Sequence, residues 1–212
     1  MSFFVTFRTR PFLNILKLED TYKTISTDIG EGFYSEKRSK FLAFAHHIES
    51  VDDAKDIIAG YRKKYYDARH VCYAYMLGAE KKVFKSNDDG EPSSTAGRPI
   101  LGQILSNDLT DILIVVIRYY GGVNLGTGGL IVAYRSAAAD AIEHCEVKEK
   151  FIEETVKFSF PYVMMNGVMK IVKVMQPRVL SQSYDNTCTI TLSIRKSMAE
   201  ELKNKLNGLS FS

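Results

Sequence analysis

From residue 21 onward the chain alternates short apolar runs with turn-rich breaks. Runs at residues 22–27, 32–37 and 40–46, parted by Gly30, Gly32 and the charged Glu36, Lys37 and Arg38, predict an antiparallel meander. Ser50 and Asp53 have the spacing of a capping box, in which each side chain meets the other's free amide, and predict a helix to about residue 65. Residues 71–77 and 83–84 read as strands. Residues 86–99 hold too much Asp, Gly, Ser and Pro to be regular and read as a loop. Residues 100–105 read as a short helix with Pro99 near its first turn, where a missing amide hydrogen costs nothing. Residues 112–117 are apolar without alternation, as in a strand covered on both faces, and belong at the centre of a sheet. Leu130, Tyr134, Ala137, Ala138, Ala141 and Ile142 recur at helical spacing, so a helix with a small-residue face should pack closely on that sheet.

The charges of residues 143–150 suggest a boundary. Beyond it come a strand at 155–160, a helix at 164–175, strands at 179–184 and 187–195, and a helix at 198–206, a βαββα module of ferredoxin-like type. The methionines at 164, 165, 169 and 175 fall at helical spacing and read as core. The expected organisation of the 212 residues is an extension at 1–17, a larger domain at 18–149 and a small one at 150–212, α+β in class. In the extension, Arg8, Arg10 and Pro11 break up Phe3, Phe4 and Phe7, which is not a signal-peptide core, and the native start is expected near Leu18.

Composition adds limits. With 45% hydrophobic and 25% charged residues the chain can bury a core, and a net charge of +3 admits an acidic partner without identifying one. Cys72, Cys145 and Cys188 have neither disulfide-framework nor zinc spacing, which suits a reducing cytoplasm. No apolar run nears the roughly 20 residues of a membrane span, and no membrane association is expected.

Three segments carry candidate chemistry. In VVIRYYGGVNLGTGGLIVAY (residues 115–134) an apolar strand runs through Gly121, Gly122, Gly126, Gly128 and Gly129 into a helix expected to start after Thr127. Free amides at a helix start form an anion site, and glycine lets a phosphate approach. Arg118 would add a phosphate contact, and Tyr119 and Tyr120 would stack on a base. The same glycines equally suit tight packing with Thr127 as N-cap. The segment is neither a Walker A loop nor a dinucleotide fingerprint.

In SNDDGEPSSTAGRPIL (residues 86–101), Asp88, Asp89 and Glu91 surround Gly90, a set that suits a hard cation or a turn. The turn reading is favoured, and no metal or cofactor is assigned. Thr95, Gly97 and Arg98 repeat the anion-site pattern before the short helix. In DARHVCYAY (residues 67–75), Arg69 and His70 enter a strand. His70 reads as a proton shuttle or a structural residue, and its pairing with Cys72 as a nucleophile has little support. His46, His47 and His144 read as structural.

Together these three motifs, in this order, resemble the IMPACT family in its bacterial, YigZ-like form, from about Leu18 to the C-terminus. The resemblance implies that the larger domain has the βαβ-rich fold shared by a small-subunit ribosomal protein, the fourth domain of elongation factor G and small-molecule kinases. It implies a small domain similar to the fifth domain of that elongation factor. Eukaryotic members relieve translational arrest largely through an additional N-terminal domain, for which residues 1–17 are too short. The expectation is a non-enzymatic binder of RNA or the ribosome, with Arg118, the glycine turn and residues 88–98 on one surface. The competing expectation is a phosphate-ester binder or enzyme using Asp88, Asp89, Glu91 or His70 as acid and base.

Overall fold

The computed structural model describes residues 20–185 and 187–209. The extension and its expected start lie outside them. The described residues form two compact units, one of residues 22–150 and one of the residues from 151 onward together with 20–21.

The larger unit is built on a five-stranded antiparallel sheet of order β2-β3-β6-β4-β5. Its strands are β2 (Gly30–Glu36), β3 (Ser39–His47), β4 (His70–Leu77), β5 (Val83–Asn87) and β6 (Ile112–Tyr119). The continuous apolar run of β6 is central, flanked by β3 and β4. Helix α1 (Val51–Lys64) links β3 to β4 and α2 (Gly97–Ser106) links β5 to β6. Each helix therefore joins two parallel strands with a third between them, which reconciles the βαβ character with an antiparallel sheet.

Period-two alternation along β6 divides the core. Ile112, Ile114 and Val116 face α2 and α3 (Gly126–Glu143), while Leu113, Val115 and Ile117 face α1. The Ser50 capping box of α1 forms as its spacing predicts, with Asp53 N–H donating to Ser50 Oγ at 3.0 Å and Ser50 N–H to Asp53 Oδ2 at 2.9 Å. The alanine face of α3 lies against β2 so closely that a Cβ on Gly32 would stand 2.3 Å from the Ala141 nitrogen.

Several sequence expectations change, and β5 runs on to Asn87, into the segment expected as loop. The first strand, β1 (Thr21–Ile25), does not join the meander. It pairs with β7 (Val147–Phe151), an unexpected strand inside the charged stretch that ends where the two units divide. Strand pairing there runs through the main chain, so every β7 side chain can be exposed. Helix α2 starts three residues before Ile100, at Gly97. Helix α3 starts at Gly126, placing Thr127 inside its first turn and Leu125 at the cap.

The smaller unit runs β8 (Glu153–Phe160), a 3-10 turn (Tyr162–Met164), α4 (Met165–Met175), β9 (Arg178–Tyr184), β10 (Cys188–Arg195) and α5 (Lys196–Asn207). Its antiparallel sheet has the order β8-β10-β9. These are five of the six ferredoxin-like elements in sequence. Cys188, Ile190, Leu192 and Ile194 alternate onto the face covered by Val168, Met175, Leu202 and Leu206. Met164 and Met165 are partly buried there, but Met169 is 39% exposed and outside the core. Among the described residues no helix is long and apolar enough to cross a membrane.

Candidate functional site

The register of the central strands builds the site. Arg118, next to last in β6, lies directly between Phe41 of β3 and His70 of β4. Continuing the alternation that sends Ile114 and Val116 toward α2 and α3, Arg118 points to that side and is only 6% exposed. Its guanidinium stands over the Phe41 and Tyr120 rings, 5.6 and 5.5 Å from their centroids.

Beneath it lies a buried polar chain. Arg118 Nη1 donates to Glu91 Oε1 at 2.6 Å, Tyr134 hydroxyl donates to the same oxygen at 2.8 Å, and Cys72 Sγ donates to Tyr134 hydroxyl at 3.3 Å. Burial pushes the Cys72 and Tyr134 protons well above their ordinary pKa, with Glu91 adding to both shifts. Cys72 is thus a protonated core thiol, and the nucleophile reading of Cys72 with His70 falls. His70 Nδ1 lies 2.8 Å from the Asp89 carbonyl, which can only accept, so Nδ1 carries the proton.

The carboxylates of residues 88–91 are all engaged. Asp88 accepts from the amides of Ser94 at 2.9 Å, Ala96 at 3.0 Å and Gly97 at 2.8 Å. Asp89 accepts from Val71 N–H at 2.7 Å and pairs with Arg62 of α1. Of Thr95, Gly97 and Arg98, expected to form an anion site, only Gly97 lends its amide to this cradle, and its anion is Asp88. Thr95 is buried and donates its hydroxyl to the Pro92 carbonyl. Asp89 and Gly90 take positive φ values, 44° and 84°, as a tight turn requires.

The glycine turn behaves differently. Gly121 is required by sterics, since a Cβ there would fall 2.1 Å from the Arg38 carbonyl carbon, and Gly122 and Gly126 have positive φ. Gly128 has neither constraint: a Cβ would meet nothing within 4 Å. Helix α3 has no side-chain cap, and Gly126, Thr127 and Gly128 are exposed, with Gly129 half-buried.

Arg69, His70, Arg118, Tyr120 and Asn124 line one open cleft of about 510 Å³. Tyr119 is not among them, because alternation turns it to the α1 side, where its hydroxyl donates to Asp67 at 2.9 Å. Arg118 Nε, on a side chain lining this cleft, is buried without a hydrogen-bond partner among the described residues. Sequence reasoning missed Asn124 as a lining residue and Tyr134 as the hydroxyl that joins Glu91 to the core. Tyr134 was legible only as an apolar helix position.

A family model described as the Impact N-terminal domain matches residues 37–142. An IMPACT family member of Haemophilus influenzae is 32% identical over 176 residues, 82% of this chain and 85% of that protein. IMPACT family member YigZ of Escherichia coli is 30% identical over 176 residues, 82% of this chain and 86% of that protein. A crystal structure of a hypothetical protein superposes with a TM-score of 0.72 at 27% identity, covering 89% of this chain and 92% of that one.

Proposed function

The chain belongs to the IMPACT family, and from that premise we propose that it is a non-enzymatic RNA-binding protein of translation regulation, acting in the cytoplasm on RNA or the ribosome. The cleft lined by Arg69, His70, Arg118, Tyr120 and Asn124 receives the strand. Arg69, exposed at the rim, contacts a phosphate, and the half-exposed Tyr120 ring stacks on a base. The uncapped start of α3, two residues past Asn124, supplies amides to a further phosphate oxygen.

The observation that carries this reading is the orphan Arg118 Nε in the cleft lining. Buried donors are nearly always satisfied, and an unpartnered guanidinium nitrogen on a side chain lining a cationic cleft is compatible with an acceptor, such as a phosphate oxygen, entering that cleft. The three carboxylates that an enzyme would draw on are meanwhile bonded to their own chain, Asp88 to amides, Asp89 to Arg62 and Glu91 to Arg118 and Tyr134, while His70 is held at Nδ1 by the Asp89 carbonyl.

The cleft volume of about 510 Å³ also suits one small phosphate ester. Melting curves with a mononucleotide, sugar phosphates and an RNA oligomer separate the two, because a ligand of the folded state raises Tm. A shift with RNA, lost in Arg69→Gln and at high salt, supports the proposal. A shift with the small esters alone would replace it.

A further inference from the structure

A second cleft, of about 350 Å³, lies between α2 and α3 and is lined by Ser94, Arg98, Gly102, Gln103, Ile131 and Arg135 among others. Arg98 comes from one helix and Arg135 from the other. Both are exposed, and no ion pair of either is found among the described residues. Two guanidinium groups lining one cleft give it a positive potential that suits an anion.

Gly102 strengthens the case. It sits inside α2, on the cleft, where glycine is a poorer helix former than alanine. A Cβ there would meet nothing within 4 Å and its φ is not positive, so neither packing nor backbone conformation calls for glycine. With no side chain at this position, a ligand can lie close against the helix surface.

Residues 88–97 connect this cleft to the first. Asp89 holds His70, in the lining of the first cleft, through its carbonyl. Asp88 holds the amide of Ser94, in the lining of the second. One braced loop thus touches both.

We propose that the Arg98/Arg135 cleft is a second phosphodiester site, which grips the RNA strand held in the first cleft after it passes this loop. The inference rests on the RNA reading of the first cleft. Arg98 and Arg135 each neutralise one backbone phosphate, and Gly102 lets the sugar-phosphate chain lie against α2.

The test is fluorescence anisotropy with labelled uridine oligonucleotides, a dinucleotide and a dodecamer. The full chain is compared with Arg98→Gln/Arg135→Gln and with Arg69→Gln. The double variant should keep its Tm, since both side chains are exposed. It should bind the dodecamer at least about tenfold more weakly, as expected for losing two charge-assisted contacts. The slope of log affinity against log salt should fall by about 1.4, because each single-strand phosphate contact contributes about 0.7. Dinucleotide binding should not change.

Three outcomes overturn the inference. If the double variant binds the dodecamer normally while Arg69→Gln binds it weakly, the second site is wrong and the first-cleft reading stands. If dinucleotide and dodecamer weaken equally, the two arginines do not form a separate contact. If all three proteins bind the dodecamer alike, the RNA reading fails and takes the second site with it.

Discussion

The loop ahead of α2 and the turn ahead of α3 are both glycine-bearing entries to helices on the same face of the sheet, and they dispose of their amides in opposite ways. Ahead of α2, the Asp88 carboxylate accepts from three amides, so the helix start is filled by the protein's own anion. Ahead of α3, Leu125 occupies the cap position and no side chain reaches back. A filled entry stabilises the fold, whereas an open one is available to a ligand. Composition alone treats the two alike, and only the position of one carboxylate separates them.

The largest effect should come from Glu91, which ties the loop to Arg118. Glu91→Ala leaves a buried guanidinium without its counterion and should destabilise the larger unit by about 3–5 kcal/mol in urea unfolding. A loss under about 1 kcal/mol would mean the pair is not a structural bond.

Asp88→Ala comes next. It removes the internal anion from three amides and should lower stability by about 2 kcal/mol, near the upper range of cap deletions. It also gives α2 the open entry of α3. Inorganic phosphate should then raise the Tm of the variant more than that of the parent, and equal shifts would break the comparison.

Gly128→Ala probes the open entry. The Cβ has room, and the helix should gain up to about 1 kcal/mol, while affinity for RNA falls because the approach is blocked. Unchanged affinity would detach this glycine from the ligand.

The smallest effect lies outside both regions and serves as a pH control. Burial lowers the pKa of His46, whose Nε2 is 2.8 Å from the Tyr61 hydroxyl. Its contribution to stability is present above the ordinary histidine pKa and is lost as pH falls through the lowered folded value. The drop in Tm between neutral and mildly acidic pH should therefore be smaller in His46→Gln than in the parent.

Much of the fold was legible in the chain. The apolar run at residues 112–117 announced the central strand, Ser50 and Asp53 the start of α1, and the alanine spacing the face of α3. The pairing of β1 with β7 was hidden because backbone bonds leave no mark on the side chains of residues 147–151. The site was legible in its residue types but not in its partners. Arg118 and His70 were candidates from the start, yet their direct opposition across β6 and β4 depends on register. The same register sends Tyr119 to the far side. That Asp88 caps α2 from nine residues before Gly97 follows no local capping rule, so the loop resembled an anion site without revealing that it was already occupied.

Backbone amide NMR on the full chain, titrated with a uridine dodecamer, tests the central contrast most directly. The amides of Gly126, Thr127 and Gly128 should shift strongly while those of Ala96 and Gly97, bonded to Asp88, move little. Large shifts at Ala96 and Gly97 with none at the start of α3 would contradict it.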